Sequence, residues 1–122
     1  MAEALLDTNF IISCARQKID FFEEIESLGF SALVPEQVIG ELKKLSSSEK
    51  RKVGREAELA LKILEANKFH TIELEVRNVD KGIIRFARKN PETVIATLDN
   101  GIKEKIPNRK LIIRGKKKVG IA

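Results

Sequence analysis

Two patterns in the chain predict an α/β fold with a central, mostly parallel sheet covered on both faces by helices. Short apolar or β-branched runs alternate with helix-patterned stretches, and strands separated by helices need the crossover connections of a parallel sheet. The clearest run, Thr93-Val94-Ile95-Ala96-Thr97-Leu98, is nearly continuous in apolar and β-branched residues. A strand buried on both faces reads that way, whereas a half-exposed one alternates.

The first element is carried by Leu5-Leu6-Asp7-Thr8-Asn9-Phe10-Ile11-Ile12, where a short apolar run delivers a carboxylate, a hydroxyl and an amide as strand gives way to helix. A helix over Asn9 to Gln17 follows. Asp20 resembles the cap of a second helix, Phe21 to Leu28, closed by Gly29 at a C′-like position. Phe30 to Val34 reads as a short strand, and Pro35 suits the first turn of a helix over Glu36 to Leu45, striped by Val38, Leu42 and Leu45.

Ser46-Ser47-Ser48-Glu49 has the form of a capping box and opens the longest expected helix, to about Ala66, with Val53, Ala57, Ala60, Leu61 and Leu64 inward. Phe69 to Leu74 is a weaker strand. An amphipathic helix over Val79 to Lys89 ends at Asn90-Pro91, the strand Thr93 to Leu98 leads into Asp99, and a short helix from Asn100 stops before Pro107. Lys110 to Arg114 supplies a last central-type strand. With 122 residues, 43% of them hydrophobic, and no repeat or linker, residues 1–122 are expected to form one domain.

Charge and cysteine use narrow the function classes. Basic residues number 23 against 18 acids, a net charge of +5, which suits a polyanionic partner such as nucleic acid. The sole cysteine, Cys14, excludes an intramolecular disulfide and sits in Ile11-Ile12-Ser13-Cys14-Ala15 as a small packing residue. A lone His70 cannot build a His-based zinc site. No apolar run approaches a bilayer span and no charged-then-apolar leader opens the chain, so a cytoplasmic protein is expected.

Four acids stand where an ordinary fold would choose otherwise. Asp7 and Asp99 each end an apolar strand and so project from one sheet edge, where ligand sites of open α/β sheets lie. Glu41, three residues after Val38 and four before Leu45, falls on or beside the apolar stripe of its helix, turned toward the core. Asp80 fronts its helix, as a cap or a dipole partner. Four converging carboxylates call for a cation, and oxygen donors without His or Cys suit Mg²⁺ or Mn²⁺.

The residues Asp7-Thr8-Asn9, Glu41 within Pro35 to Leu42, Asp80 at a helix start and Thr97-Leu98-Asp99 after the central strand together resemble the PIN domain family of metal-dependent ribonucleases. That resemblance implies a three-layer α/β/α sandwich. It also implies a catalytic, metal-binding quartet of Asp7, Glu41, Asp80 and Asp99 that holds Mg²⁺ or Mn²⁺ and activates water, with Asn9 and Thr97 in support. The segments Ala96 to Ile106 and Leu111 to Gly115 are similar to the branch acting in small-subunit ribosomal RNA processing, which makes pre-ribosomal RNA a candidate partner. The toxin branch commonly has an aromatic shortly after the last acid, where Gly101 and Ile102 stand here; an antitoxin partner belongs to that alternative. A homodimer is implied by resemblance alone, and a non-catalytic RNA-binding or assembly module is the other alternative. Lys43, Arg85, Arg88 and Lys103 are the candidate RNA contacts, with the run Lys116-Lys117-Lys118 a weaker one.

Overall fold

The computed structural model describes residues 2–122. In chain order the elements are β1 (Ala2–Leu6), α1 (Thr8–Arg16), α2 (Phe21–Ser27), β2 (Phe30–Pro35), α3 (Glu36–Ser46), α4 (Arg51–Glu65), β3 (His70–Ile72), α5 (Val79–Lys89), β4 (Val94–Ala96), α6 (Asn100–Lys105), β5 (Lys110–Arg114) and β6 (Lys118–Ile121). The strands form one sheet in the order β3-β2-β1-β4-β5-β6, parallel throughout except that β6 runs antiparallel to β5.

Period-two alternation divides the buried residues between two cores. Ala4, Leu6, Ala32, Val34, Val94 and Ala96 face the larger one, under α1 to α4, while Leu5, Leu33 and Ile95 face the smaller one with Ile83, Ala87 and Ile102 from α5 and α6. Register keeps like with like, since Leu5 lies opposite both Leu33 and Ile95, and Ala4 opposite both Ala32 and Val94. The result is a three-layer α/β/α sandwich. Truncating a fully buried leucine such as Leu5 in so close-packed a core costs about 2–5 kcal/mol.

Local chemistry explains most boundaries. Asp7, Asp20, Asn78 and Asp99 cap α1, α2, α5 and α6 through side-chain oxygens that accept otherwise orphaned backbone N–H groups. Gly29, at φ 88°, takes the left-handed turn that releases α2 into β2.

The expected capping box does not form. Ser46 ends α3 with its hydroxyl donating to the Lys43 carbonyl, Ser47 caps that same end, and α4 starts only at Arg51 behind Lys50, with no side-chain cap. Serine hydroxyls serve a carbonyl at a helix end as readily as an N–H at a start, and here the preceding helix claims them. Pro35 closes β2 rather than lying inside α3. β6 is an element that the sequence reading passed over: the lysine run forms the tip of a hairpin, with Lys117 at φ 58° and Lys118 paired opposite Arg114.

Candidate active site

Strand order reverses between β1 and β4, because the chain builds β2 and β3 to one side of β1 before returning to add β4 and β5 on the other. A crevice opens outside the carboxyl ends of strands at such a switch point. Asp7 follows β1 directly and Asp99 lies three residues beyond the end of β4, so both reach that edge. The Asp7 N–H donates to the Ala96 carbonyl at 2.9 Å, continuing the β1–β4 pairing into the site.

Asp7 is 3% exposed and held on both carboxylate oxygens. The Thr8 backbone N–H donates to Oδ1 and the Thr97 hydroxyl donates to Oδ2, each at 2.8 Å. Burial pushes the Asp7 carboxyl above its ordinary range; the Thr97 and Thr8 hydrogen bonds pull it back, and the charges of Asp80 and Glu41 push it up again. Those last two influences place Asp80 and Glu41 near enough to sense Asp7, although they come from α5 and α3. Thr97, fully buried, also accepts the Asp99 N–H at 3.1 Å, so one hydroxyl ties the two strand-end acids together. Asp99 in turn accepts the Ile102 N–H at the start of α6.

Glu41 does not face the core as expected. Val38 and Leu42 take the buried stripe of α3, and Glu41, flanking it, is exposed on the side that meets the start of α1. There its Oε1 accepts the Thr8 hydroxyl. Asp80 is exposed too and is not the cap of α5: Asn78 accepts the Lys81 N–H, leaving Asp80 in the first turn, where a negative charge complements the helix dipole. Asn9 is exposed, and its side chain makes no hydrogen bond among the described residues.

Thr8 is the residue that sequence reasoning left without a role. Its amide holds Asp7 and its hydroxyl holds Glu41, linking two acids 34 positions apart in the chain. Its place between Asp7 and Asn9 in the first turn of α1 was the available signal. Gln37 was overlooked as well. From α3 its side chain both donates to the Leu74 carbonyl and accepts the Leu74 N–H, each at 3.0 Å, which pins the loop leading to Asp80. Leu74 then packs against Gly82, where an added Cβ would come within 3.0 Å of the Leu74 side chain.

The donor set fits a hard divalent cation. All four acids offer oxygen, none pairs with a Lys or Arg among the described residues, and buried Asp7 bears the repulsion of two acidic neighbours. Among the described residues, however, no three His, Cys, Asp or Glu side chains already stand as a chelating cluster.

Of the four candidate RNA contacts, Lys43 on α3 and Lys103 on α6 have no ionic partner among the described residues. Arg85 is paired with Glu75 at 3.1 Å, and Arg88 donates to the Lys105 carbonyl at the end of α6. Cys14 is buried, which pushes its thiol up to about 12 and leaves it a packing residue. No helix of the described residues is long and apolar enough to cross a membrane.

Residues 4–116 match the family model described as a PIN like domain. Over 123 aligned residues the chain is 26% identical to Ribonuclease VapC4 of Methanocaldococcus jannaschii, with 96% of this chain and 94% of that protein covered. The solved structure of the PIN domain endonuclease Utp24 superimposes with a TM-score of 0.79 at 24% identity, over 98% of this chain and 90% of that one; this likeness is one of fold.

Proposed function

The chain belongs to the PIN-like domain family, and from that premise we propose that it is a metal-dependent endoribonuclease that hydrolyses RNA phosphodiester bonds. The observation that carries this reading is Asp7, a buried carboxylate at the switch-point crevice, hydrogen-bonded on both oxygens and facing acids rather than a cation. A structural carboxylate at that depth would be expected to have a basic partner. The ribonuclease name of the relative from Methanocaldococcus jannaschii supports RNA as the substrate.

In this reading Asp7, Glu41, Asp80 and Asp99 hold Mg²⁺ or Mn²⁺. When bound, such an ion neutralises charge on the scissile phosphate and lowers the pKa of the attacking water. The protein's own part is positioning. Thr97 fixes Asp7 and the Asp99 backbone relative to one another, Thr8 does the same for Asp7 and Glu41, and the Gln37 clamp on Leu74 steadies the approach to Asp80. Lys43 and Lys103, two and four residues beyond Glu41 and Asp99, lie where exposed cations can hold the RNA backbone beside the acids. Arg85 and Arg88 would have to leave Glu75 and the Lys105 carbonyl to join them.

Within the nuclease class, ribosomal RNA processing by a single-domain cytoplasmic protein remains our reading, supported by the tail segments Ala96 to Ile106 and Leu111 to Gly115 and by the fold shared with Utp24. The VapC4 relative favours a second reading, a toxin ribonuclease with an antitoxin partner. Purified protein incubated with single-stranded and structured RNA in Mn²⁺, Mg²⁺ or chelator tests the activity, with the Asp7→Asn, Asp99→Asn double variant as control. Cleavage that needs metal and vanishes in the variant is expected. Salt-dependent binding without any product in Mn²⁺ would replace the nuclease with a binding or assembly module. Growth arrest on expression, relieved by a dedicated inhibitor, would favour the toxin; association with pre-ribosomal RNA would favour the processing factor.

A further inference from the structure

Far from the acids, at the side of the sheet, β3 presents its outer edge. It is the terminal strand of the sheet, bonded only to β2, and His70 and Thr71 are exposed. Neither Lys nor Pro guards His70-Thr71-Ile72, whereas the opposite edge strand carries Lys118 behind the lysine-rich hairpin tip. An edge strand displays alternate unpaired N–H and C=O groups to an incoming chain.

Two cavities flank this edge, one on each face of the sheet. The first, about 710 Å³, is lined by Phe22, Ile25, Phe30 and Phe69 and lies on the face of the larger core, against which Phe69 packs. The second, about 260 Å³, is bordered by Ile72, Gly82 and Phe86 on the face of the smaller core. Along the edge they border Phe69 and His70 in one case, Ile72 and Glu73 in the other, a rise of about 10 Å over three residues. Side chains an odd number of positions apart on an added strand point to opposite faces, so residues i and i+3 of one extended peptide reach one cavity each.

Charge selects the kind of chain. Glu26 and Glu73 are exposed at the two cavities without an ionic partner among the described residues. Glu3 is taken up by His70, and Glu75 by Arg85 and Lys89; Lys68 is the cation left over at the first cavity. On a chain of net charge +5 this edge offers its free carboxylates outward, which repels a phosphate backbone and attracts a basic one.

We propose that the β3 edge is a docking site for an extended, basic peptide segment of a protein partner. The segment adds to the sheet as a further strand, sets a large apolar side chain among Phe22, Phe30 and Phe69, sets a smaller one three residues on against Ile72 and Phe86, and brings Lys or Arg to Glu26 and Glu73. This site is independent of the nuclease reading, because none of its residues belongs to the acid crevice.

Backbone amide NMR of the full chain titrated with the peptide acetyl-Lys-Phe-Lys-Thr-Val-Lys-amide tests it. Saturable shifts centred on the amides from Phe69 to Glu73 are expected, with binding at least about tenfold weaker for a peptide N-methylated at alternate residues, for one with Ser in place of Phe, and for the exposed-site variant Glu73→Lys. Any of three results would overturn the proposal: no shift at these amides up to about 1 mM peptide, equal binding of the N-methylated peptide, or a stronger response of the same amides to oligouridine.

Discussion

Replacing Thr97 with Val removes one buried hydroxyl while keeping the shape of the side chain, so the two hydrogen bonds through it can be weighed directly. The hydroxyl donates to a carboxylate at 2.8 Å and accepts the Asp99 N–H at 3.1 Å. A hydrogen bond to a charged group contributes about 1.5–3 kcal/mol and an ordinary one about 0.5–1.5. Because both share one oxygen and act as a unit, a loss of about 2–4 kcal/mol at pH 8 is the expected total, a fall of roughly 10 °C in melting temperature for a domain of this size. The loss depends on pH. Thr97 favours the charged form of Asp7, so its removal drives the Asp7 carboxyl still higher, and the destabilisation is full above the folded pKa and shrinks toward acid, where the carboxyl is neutral. Urea denaturation in chelator at pH 4.5 and pH 8 measures both figures, with Thr97→Ser expected to restore most of the loss. Equal destabilisation at the two pH values, or none at pH 8, would refute the link between Thr97 and the charge on Asp7.

Three further outcomes are expected. Asp7→Asn in chelator is more stable than the parent at pH 8: the folded pKa is raised, so the native state keeps a proton that the unfolded chain has lost, stability falls as pH rises from the ordinary carboxylate range through the folded pKa, and Asn escapes that fall. Each pKa unit of difference corresponds to about 1.4 kcal/mol, and an Asn variant less stable at pH 8 in calorimetry would contradict the assignment. Gly29→Ala costs about 1–2 kcal/mol in urea unfolding, from left-handed backbone strain alone, since nothing lies within 4 Å of the added Cβ. Arg16→Ala, which breaks an exposed pair with Glu56 on α4, costs no more than about 1 kcal/mol and the difference fades in 1 M salt; a larger, salt-independent loss would show that α1 leans on Arg16 for packing.

Much of the site was legible because its signals are local. Asp7 and Asp99 follow apolar strands, and in a parallel sheet strand ends share an edge whatever the details of packing. Thr97 stood out by the same logic, and the structure gives it a bridging role. The orientation of Glu41 was not legible, since the stripe of α3 is narrow and a rotation of a few tens of degrees decides whether a flanking carboxylate faces core or crevice. For Asp80 the competition was between capping residues: Asn78, two positions earlier, supplies the oxygen and leaves the acid in the first turn. The serine run misled for a related reason, as its hydroxyls could serve either adjoining helix. β6 was hidden because a lysine run reads as a solvated stretch until its hairpin partner is known.

Sequence by itself determined the fold class, the family and the four acids, because hydrophobic periodicity and strand-end position depend on neighbours a few residues away. Tertiary structure alone decided which groups hold those acids. Thr8 meets Glu41 and Gln37 meets Leu74 across 33 and 37 positions, and the two cavities at β3 exist only once helices have been laid on both faces of the sheet. Contacts of that kind depend on the relative placement of whole elements, which is settled by the packing of two cores and leaves no periodic trace in the chain.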